Sequence, residues 1–206
     1  MKKLFVLGDS ISLDYGYYLE QILYNDYLFD RKGYEYYGIL RDQSNPLVNG
    51  GNSEEGKLYL QKIDKNRIKN SIMLLNFGLH DIKRSCNDNK LSISKEKYSK
   101  NLDQIVNDLI DLNVNVFWCR TTPVDNILHN SRIGEFYRFN KDVIDFNIRA
   151  DIVMREKGIS IIDLYGFTLA LGSNLYKDHV HFKDEISKMQ AAYIAGAICS
   201  KESDYL

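Results

Sequence analysis

Short apolar runs and longer amphipathic segments alternate along this chain. Runs at 3–7, 34–39, 72–77, 114–119 and 159–163 predict strands, with a weaker candidate at 46–48. Leu4 to Leu7 are apolar without a break, as expected of a strand covered on both faces. Between the runs the period changes. Tyr15, Tyr18, Leu19, Ile22 and Leu23 share one helical face, as do Tyr98, Leu102, Ile105, Leu109 and Leu112. Phe139, Val143, Phe146, Ala150 and Val153 repeat the pattern before Gly158, a stop signal, and residues 184–200 read as a final helix. Strands alternating with helices imply right-handed crossovers and a parallel sheet covered on both faces. The expected fold is a three-layer α/β/α sandwich with a central parallel sheet of about five strands, in one domain spanning 1–206.

Composition narrows the functions without naming one. Apolar residues make up 44% and charged residues 27% of 206, an ordinary globular balance. The formal net charge of −1 gives no electrostatic case for nucleic acid or an anionic membrane. No window approaches the length of an apolar membrane span, and the run behind the opening "MKK" is too short for a signal core. Cys86, Cys119 and Cys199 are far apart and lack metal-ligand spacing, so reduced thiols and a cytoplasmic location are expected. Nothing in the sequence specifies an oligomeric state.

Ligands of such sheets bind beyond the carboxyl ends of the strands, and four stretches bring chemistry to that rim. "GDSI" follows the first strand; it reads either as a turn or as a serine held at the start of a helix, where unpaired N–H groups favour an anion. "NGGNSEEG" (49–56) lets a backbone N–H approach a ligand closely, or is simply a flexible turn. "FGLHD" leaves the third strand with His80 and Asp81 at the rim; His80 alone also fits a structural histidine. In "YKDHVHF", Asp178 and His181 are three residues apart. In a tight loop a carboxylate so spaced can reach the imidazole Nδ1–H and leave Nε2 free to take a proton from a serine. His179, one residue from Asp178, is the rival base and is assigned to packing or substrate contact.

Taken in order, these blocks resemble the GDSL, or SGNH, hydrolase family, and the resemblance runs from Gly8 to His181. "FGLHDIK" is similar to a bacterial subgroup in which histidine replaces the third block's asparagine. The resemblance implies a serine esterase with Ser10 as nucleophile, His181 as general base and Asp178 as its orienting acid, needing no metal or organic cofactor. It implies an oxyanion hole from the Ser10 N–H, a glycine N–H of "NGG" (Gly51 taken ahead of Gly50) and a donor from His80. It also implies a flavodoxin-like SGNH hydrolase fold and a small ester substrate, an O-acetyl ester on carbohydrate being the leading candidate. The absence of an obvious apolar lid favours a short acyl chain. Asp9, Asn52, Thr121, Thr122 and His179 are the expected substrate contacts, although Thr121 and Thr122 fit a strand exit and turn equally well. Two departures from the family pattern stand out, His80 for asparagine and Ile11 for leucine. The rival readings are an O-acyltransferase using the same residues, a non-catalytic glycan-binding protein, and a metal phosphoesterase. The last would draw on Asp9, His80, Asp81, His179 and His181, which lack a recognised ligand spacing.

Overall fold

The structure, a computed structural model, describes residues 1–34, 44–132 and 134–203. Its main sheet has five parallel strands: β1 (Lys2–Leu7), β2 (Tyr27–Arg31), β3 (Ile72–Leu75), β5 (Asn115–Cys119) and β7 (Ser160–Ile162), in the order β2-β1-β3-β5-β7. A two-stranded antiparallel ribbon, β4 (Arg84–Ser85) with β6 (Phe136–Tyr137), stands apart from it. The helices are α1 (Ser10–Leu23), α2 (Ser53–Lys62), α3 (Lys65–Ile68), α4 (Lys95–Asp111), α5 (Asn126–Arg132), α6 (Asn140–Glu156), α7 (Leu164–Ala170) and α8 (Asp184–Ser203).

Two helical layers sandwich the sheet. α1 packs along α8, which also carries α7, while α4 lies between α2 and α6. The central strands have no solvent face: Leu4 to Leu7, Ile72 to Leu75 and Val116 to Cys119 are all buried, as uniform apolar runs require. On α4 the predicted stripe is the one buried, with Tyr98, Leu102, Ile105 and Leu109 in the core. No helix among the described residues is long and apolar enough to cross a membrane.

The edge strand β2, Tyr27–Arg31, is not among the strands the sequence pattern predicts; of the expected strand 34–39, Tyr34 sits in a turn and 35–39 lie outside the described residues, and 46–48 form a turn. "YLFDR" hides a strand because Asp30 and Arg31 interrupt its apolar pattern. Asp30 is paired from afar, Arg67 forking onto its carboxylate at 2.7 and 3.0 Å, while Arg31 Nη1 donates to the Ser12 carbonyl at 3.2 Å and its buried Nε has no partner among the described residues.

This topology sets the position of the rim. The chain leaves β1 toward β2 on one side and re-enters at β3 on the other, so the crevice beyond β1 and β3 is the switch point of the sheet. Asn76 secures that crevice, its N–H donating to the Leu7 carbonyl at 3.0 Å and its Nδ2 to the Cys119 carbonyl at 2.8 Å.

Candidate active site

Ser10 is the first residue of α1, two residues earlier than the helix start read near Ser12. Asp9 caps that helix, its Oδ1 accepting the Ile11 N–H at 3.0 Å, and is itself 1% exposed. The cap orients Ser10 at the carboxyl end of β1 and leaves the Ser10 N–H as a helix-start donor without an intrahelical acceptor.

Asp178 and His181 arrive from the loop before α8. Asp178 Oδ1 accepts the N–H groups of Val180 and His181, each at 2.8 Å, which folds the loop onto its own carboxylate. Backbone bonds from Lys177 to the His181 carbonyl and from Lys183 to the Leu175 carbonyl, each 2.9 Å, close its base. Lys177 then reaches Asp14 on α1 at 3.2 Å. In this setting Asp178 Oδ2 lies 2.7 Å from His181 Nδ1, and His181 Nε2 lies 2.8 Å from Ser10 Oγ. Partial burial alone would raise the Asp178 carboxyl. The two backbone donors and the His181 ring outweigh it and hold the carboxyl below its usual range.

Ser10, His181, Gly50, Gly51, His80 and His179 line one cavity of about 910 Å³. Of the two glycines, Gly50 donates its N–H to the Gly8 carbonyl at 2.8 Å, so close that an added Cβ would stand 2.5 Å from that oxygen. Gly51 adopts φ +71° and donates to the Asn49 side chain at 2.9 Å. A side-chain acceptor can be exchanged for a substrate oxygen, whereas the Gly50 bond joins two backbones. Burial, with Lys83 and Arg138 nearby, pushes the His80 ring down to about 3, so it is a neutral imidazole.

Some expected contacts take other work. Asn52 is not in the cavity wall: its Oδ1 accepts the Glu54 and Glu55 N–H groups at 3.0 Å, and Glu55 returns a bond to the Asn52 N–H, a complete capping box for α2. Thr121 and Thr122 are 1% and 3% exposed, and Thr121 Oγ1 donates inward to the Phe77 carbonyl at 3.0 Å, so neither meets the cavity. Asp9 Oδ1 caps α1, while its Oδ2 is buried without a hydrogen-bond partner among the described residues, and neither oxygen belongs to the cavity lining. His179 does reach the cavity, with its Nδ1 2.9 Å from the Nδ1 of buried His129. Asp81 bonds not to His80 but to the Ser53 N–H, from Oδ1 at 3.0 Å and Oδ2 at 3.2 Å, thereby clamping the glycine loop to the third block. Among the described residues, no three His, Cys, Asp or Glu are grouped to hold a metal ion.

Sequence reasoning missed Lys83, Phe136 and Arg138, which form the cavity wall on the β4–β6 ribbon side. A two-residue strand has no periodic signal, so nothing in "EFYRF" marks its arginine as a lining group.

Known proteins supply the comparison. The profile of the family described as GDSL-like lipase/acylhydrolase matches residues 4–194. An acetyl xylan esterase, AlAXEase, superposes with TM-score 0.71 at 15% identity, covering 95% of this chain and 99% of its own. A lipase/acylhydrolase from Enterococcus faecalis gives 0.68 at 16% identity, covering 98% and 97%; a GDSL-like lipase from Bacteroides thetaiotaomicron gives 0.69 at 15%, covering 97% and 89%. No curated protein sequence matches. With the profile match spanning nearly the whole chain and the same five-stranded fold beneath it, the chain belongs to the GDSL-like lipase/acylhydrolase family and is a hydrolytic enzyme.

Proposed function

We propose that this hydrolase is a serine esterase that removes short acyl groups, acetyl foremost, from hydroxyl-bearing substrates such as carbohydrates. The observation that carries the reading is the unbroken relay from Asp178 Oδ2 to His181 Nδ1 at 2.7 Å and from His181 Nε2 to Ser10 Oγ at 2.8 Å. The Asp178 contact holds the proton on Nδ1, so Nε2 accepts the Ser10 proton as Oγ bonds to the ester carbonyl carbon. The carbonyl oxygen becomes an oxyanion facing the Ser10 N–H, the Gly51 N–H and an N–H of neutral His80. Collapse breaks the ester bond, and His181 returns its proton to the departing alcohol. Water, deprotonated by His181, then attacks the acyl-Ser10 carbonyl; the second collapse releases the acid and reprotonates Ser10.

A cavity of about 910 Å³ accommodates a sugar-sized alcohol, and the acetyl xylan esterase of like fold acts on an acetylated carbohydrate by its name. The test is release of acetate from 4-nitrophenyl acetate and from acetylated xylo-oligosaccharides, beside the Ser10→Ala variant. Turnover by the wild type and its loss in the variant are expected. Equal rates in the two proteins would overturn the role of Ser10.

A further inference from the structure

Arg138 is 4% exposed, yet it lines the cavity that holds Ser10. Its Nε donates to the Leu79 carbonyl at 2.6 Å, which fixes the guanidinium beside His80. Among the described residues neither Nη group has an acceptor, and no carboxylate lies within ion-pair distance of it. The carboxyl acting on it across space is Asp9, beyond ion-pair distance, whose Oδ1 is held by the Ile11 N–H and whose buried Oδ2 has no hydrogen-bond partner among the described residues. Removing a cation from water without a paired anion is costly, so a buried guanidinium with no ion-pair partner, facing a cavity, points to an anion supplied from outside.

Lys83 reinforces the charge. Its Nζ sits 4.5 Å from the Phe136 ring centroid, and the Arg138 guanidinium carbon 4.9 Å from the same centroid, so one ring carries two cations. Among the described residues, Glu55 lines the cavity and accepts the Asn52 N–H on Oε2 at 2.7 Å; it, Glu135 and Asp9 act on Lys83 only across space, with no ion pair to it.

We propose that Arg138, with Lys83, is a recognition site for an oxyanion on the alcohol half of the ester substrate, a carboxylate or a phosphate. A guanidinium with both Nη groups free matches the two oxygens of either group in a fork, which an ammonium cannot do. The anion falls on the alcohol half because an acetyl group carries no charge; in that respect the proposal rests on the short-acyl esterase reading.

Three aryl acetates test it: 3-acetoxybenzoate, 3-acetoxyphenyl phosphate and neutral methyl 3-acetoxybenzoate, each rate normalised to alkaline hydrolysis of the same ester. At low ionic strength the wild type is expected to favour one anionic ester by at least about 10-fold in kcat/KM, carried by KM and declining with added salt. Which of the two wins distinguishes a carboxylated substrate from a phosphorylated one. Arg138→Gln should abolish the ratio and Arg138→Lys retain part of it; should Arg138→Gln not fold, Lys83→Gln must still lower it. Ser10-dependent hydrolysis of the neutral ester as fast as both anionic ones overturns the oxyanion site and leaves the esterase standing. If Ser10→Ala matches the wild type on all three, the esterase reading itself fails, and the oxyanion site with it.

Discussion

His181 Nε2 stands 2.8 Å from Ser10 Oγ although 171 residues separate them in the chain. The fold closes that distance from two sides. Ser10 begins α1 at the end of β1, His181 lies in the loop feeding α8, and α1 and α8 pack against one another. The Lys177–Asp14 ion pair ties the loop to α1 a second time.

Asp178 acts through the imidazole. Replacing it with asparagine keeps the size but presents an amide where the His181 Nδ1–H and two backbone N–H groups need an acceptor. Asp178→Asn should lower kcat for 4-nitrophenyl acetate by about 10²–10⁴-fold. Steady-state kinetics checks it; a loss confined to KM would contradict the assignment.

In the proposed mechanism His80 is an oxyanion donor that does not titrate in the working range, since burial and neighbouring cations push its ring down to about 3. His80→Ala should cost about 10²–10³ in kcat, the usual weight of one oxyanion donor. His80→Asn should restore most of it, because an amide N–H supplies the same bond. The acidic limb of the pH–rate profile should stay where it is in both variants. A limb that moves with His80→Asn would mean that the His80 ring titrates in the working range.

Asp81 gives a stability prediction with a definite sign. Burial raises its carboxyl to about 7 from the usual 3.8, against the lowering effect of the Ser53 hydrogen bonds. The folded chain therefore keeps a proton that the unfolded chain has lost between those values. Its stabilising effect is complete below about pH 4 and disappears as pH rises through about 7. Asp81→Asn cannot titrate. Relative to wild type it should gain about 1–3 kcal/mol in stability between pH 4 and pH 8. Urea denaturation at the two pH values measures this, and a gap independent of pH would contradict it.

Gly50 sits where two backbones touch. A methyl group there would stand 2.5 Å from the Gly8 carbonyl oxygen, so the glycine loop must move off β1. Gly50→Ala should destabilise the protein by about 1–3 kcal/mol and weaken turnover, because Gly51 moves with it. Thermal denaturation beside kinetics checks both; an unchanged Tm would mean that the loop is not anchored there.

The central strands and the Ser10, Asp178 and His181 cluster were readable because their signals are local. Leu4 to Leu7 form an unbroken apolar run, and Asp178 and His181 fall within a single turn of chain. Tyr27–Arg31 escaped because its charged residues bond to Arg67 and Ser12, distant in sequence. Asn52 and Thr121 are ambiguous in the sequence for a related reason: a polar residue beside a rim looks the same whether it caps a helix, bonds inward or meets substrate. Arg138 escaped because only the folded ribbon shows that a cation beside Phe136 faces Ser10's cavity and not solvent.

The account turns on whether His181 makes Ser10 reactive. The rate at which a fluorophosphonate modifies Ser10, followed by intact mass and peptide mapping, measures that directly. Rapid formation of one adduct at Ser10 in the wild type, and its near-absence in His181→Ala, is the predicted result. Equal labelling of Ser10 in both proteins, or labelling elsewhere with Ser10 untouched, would contradict it.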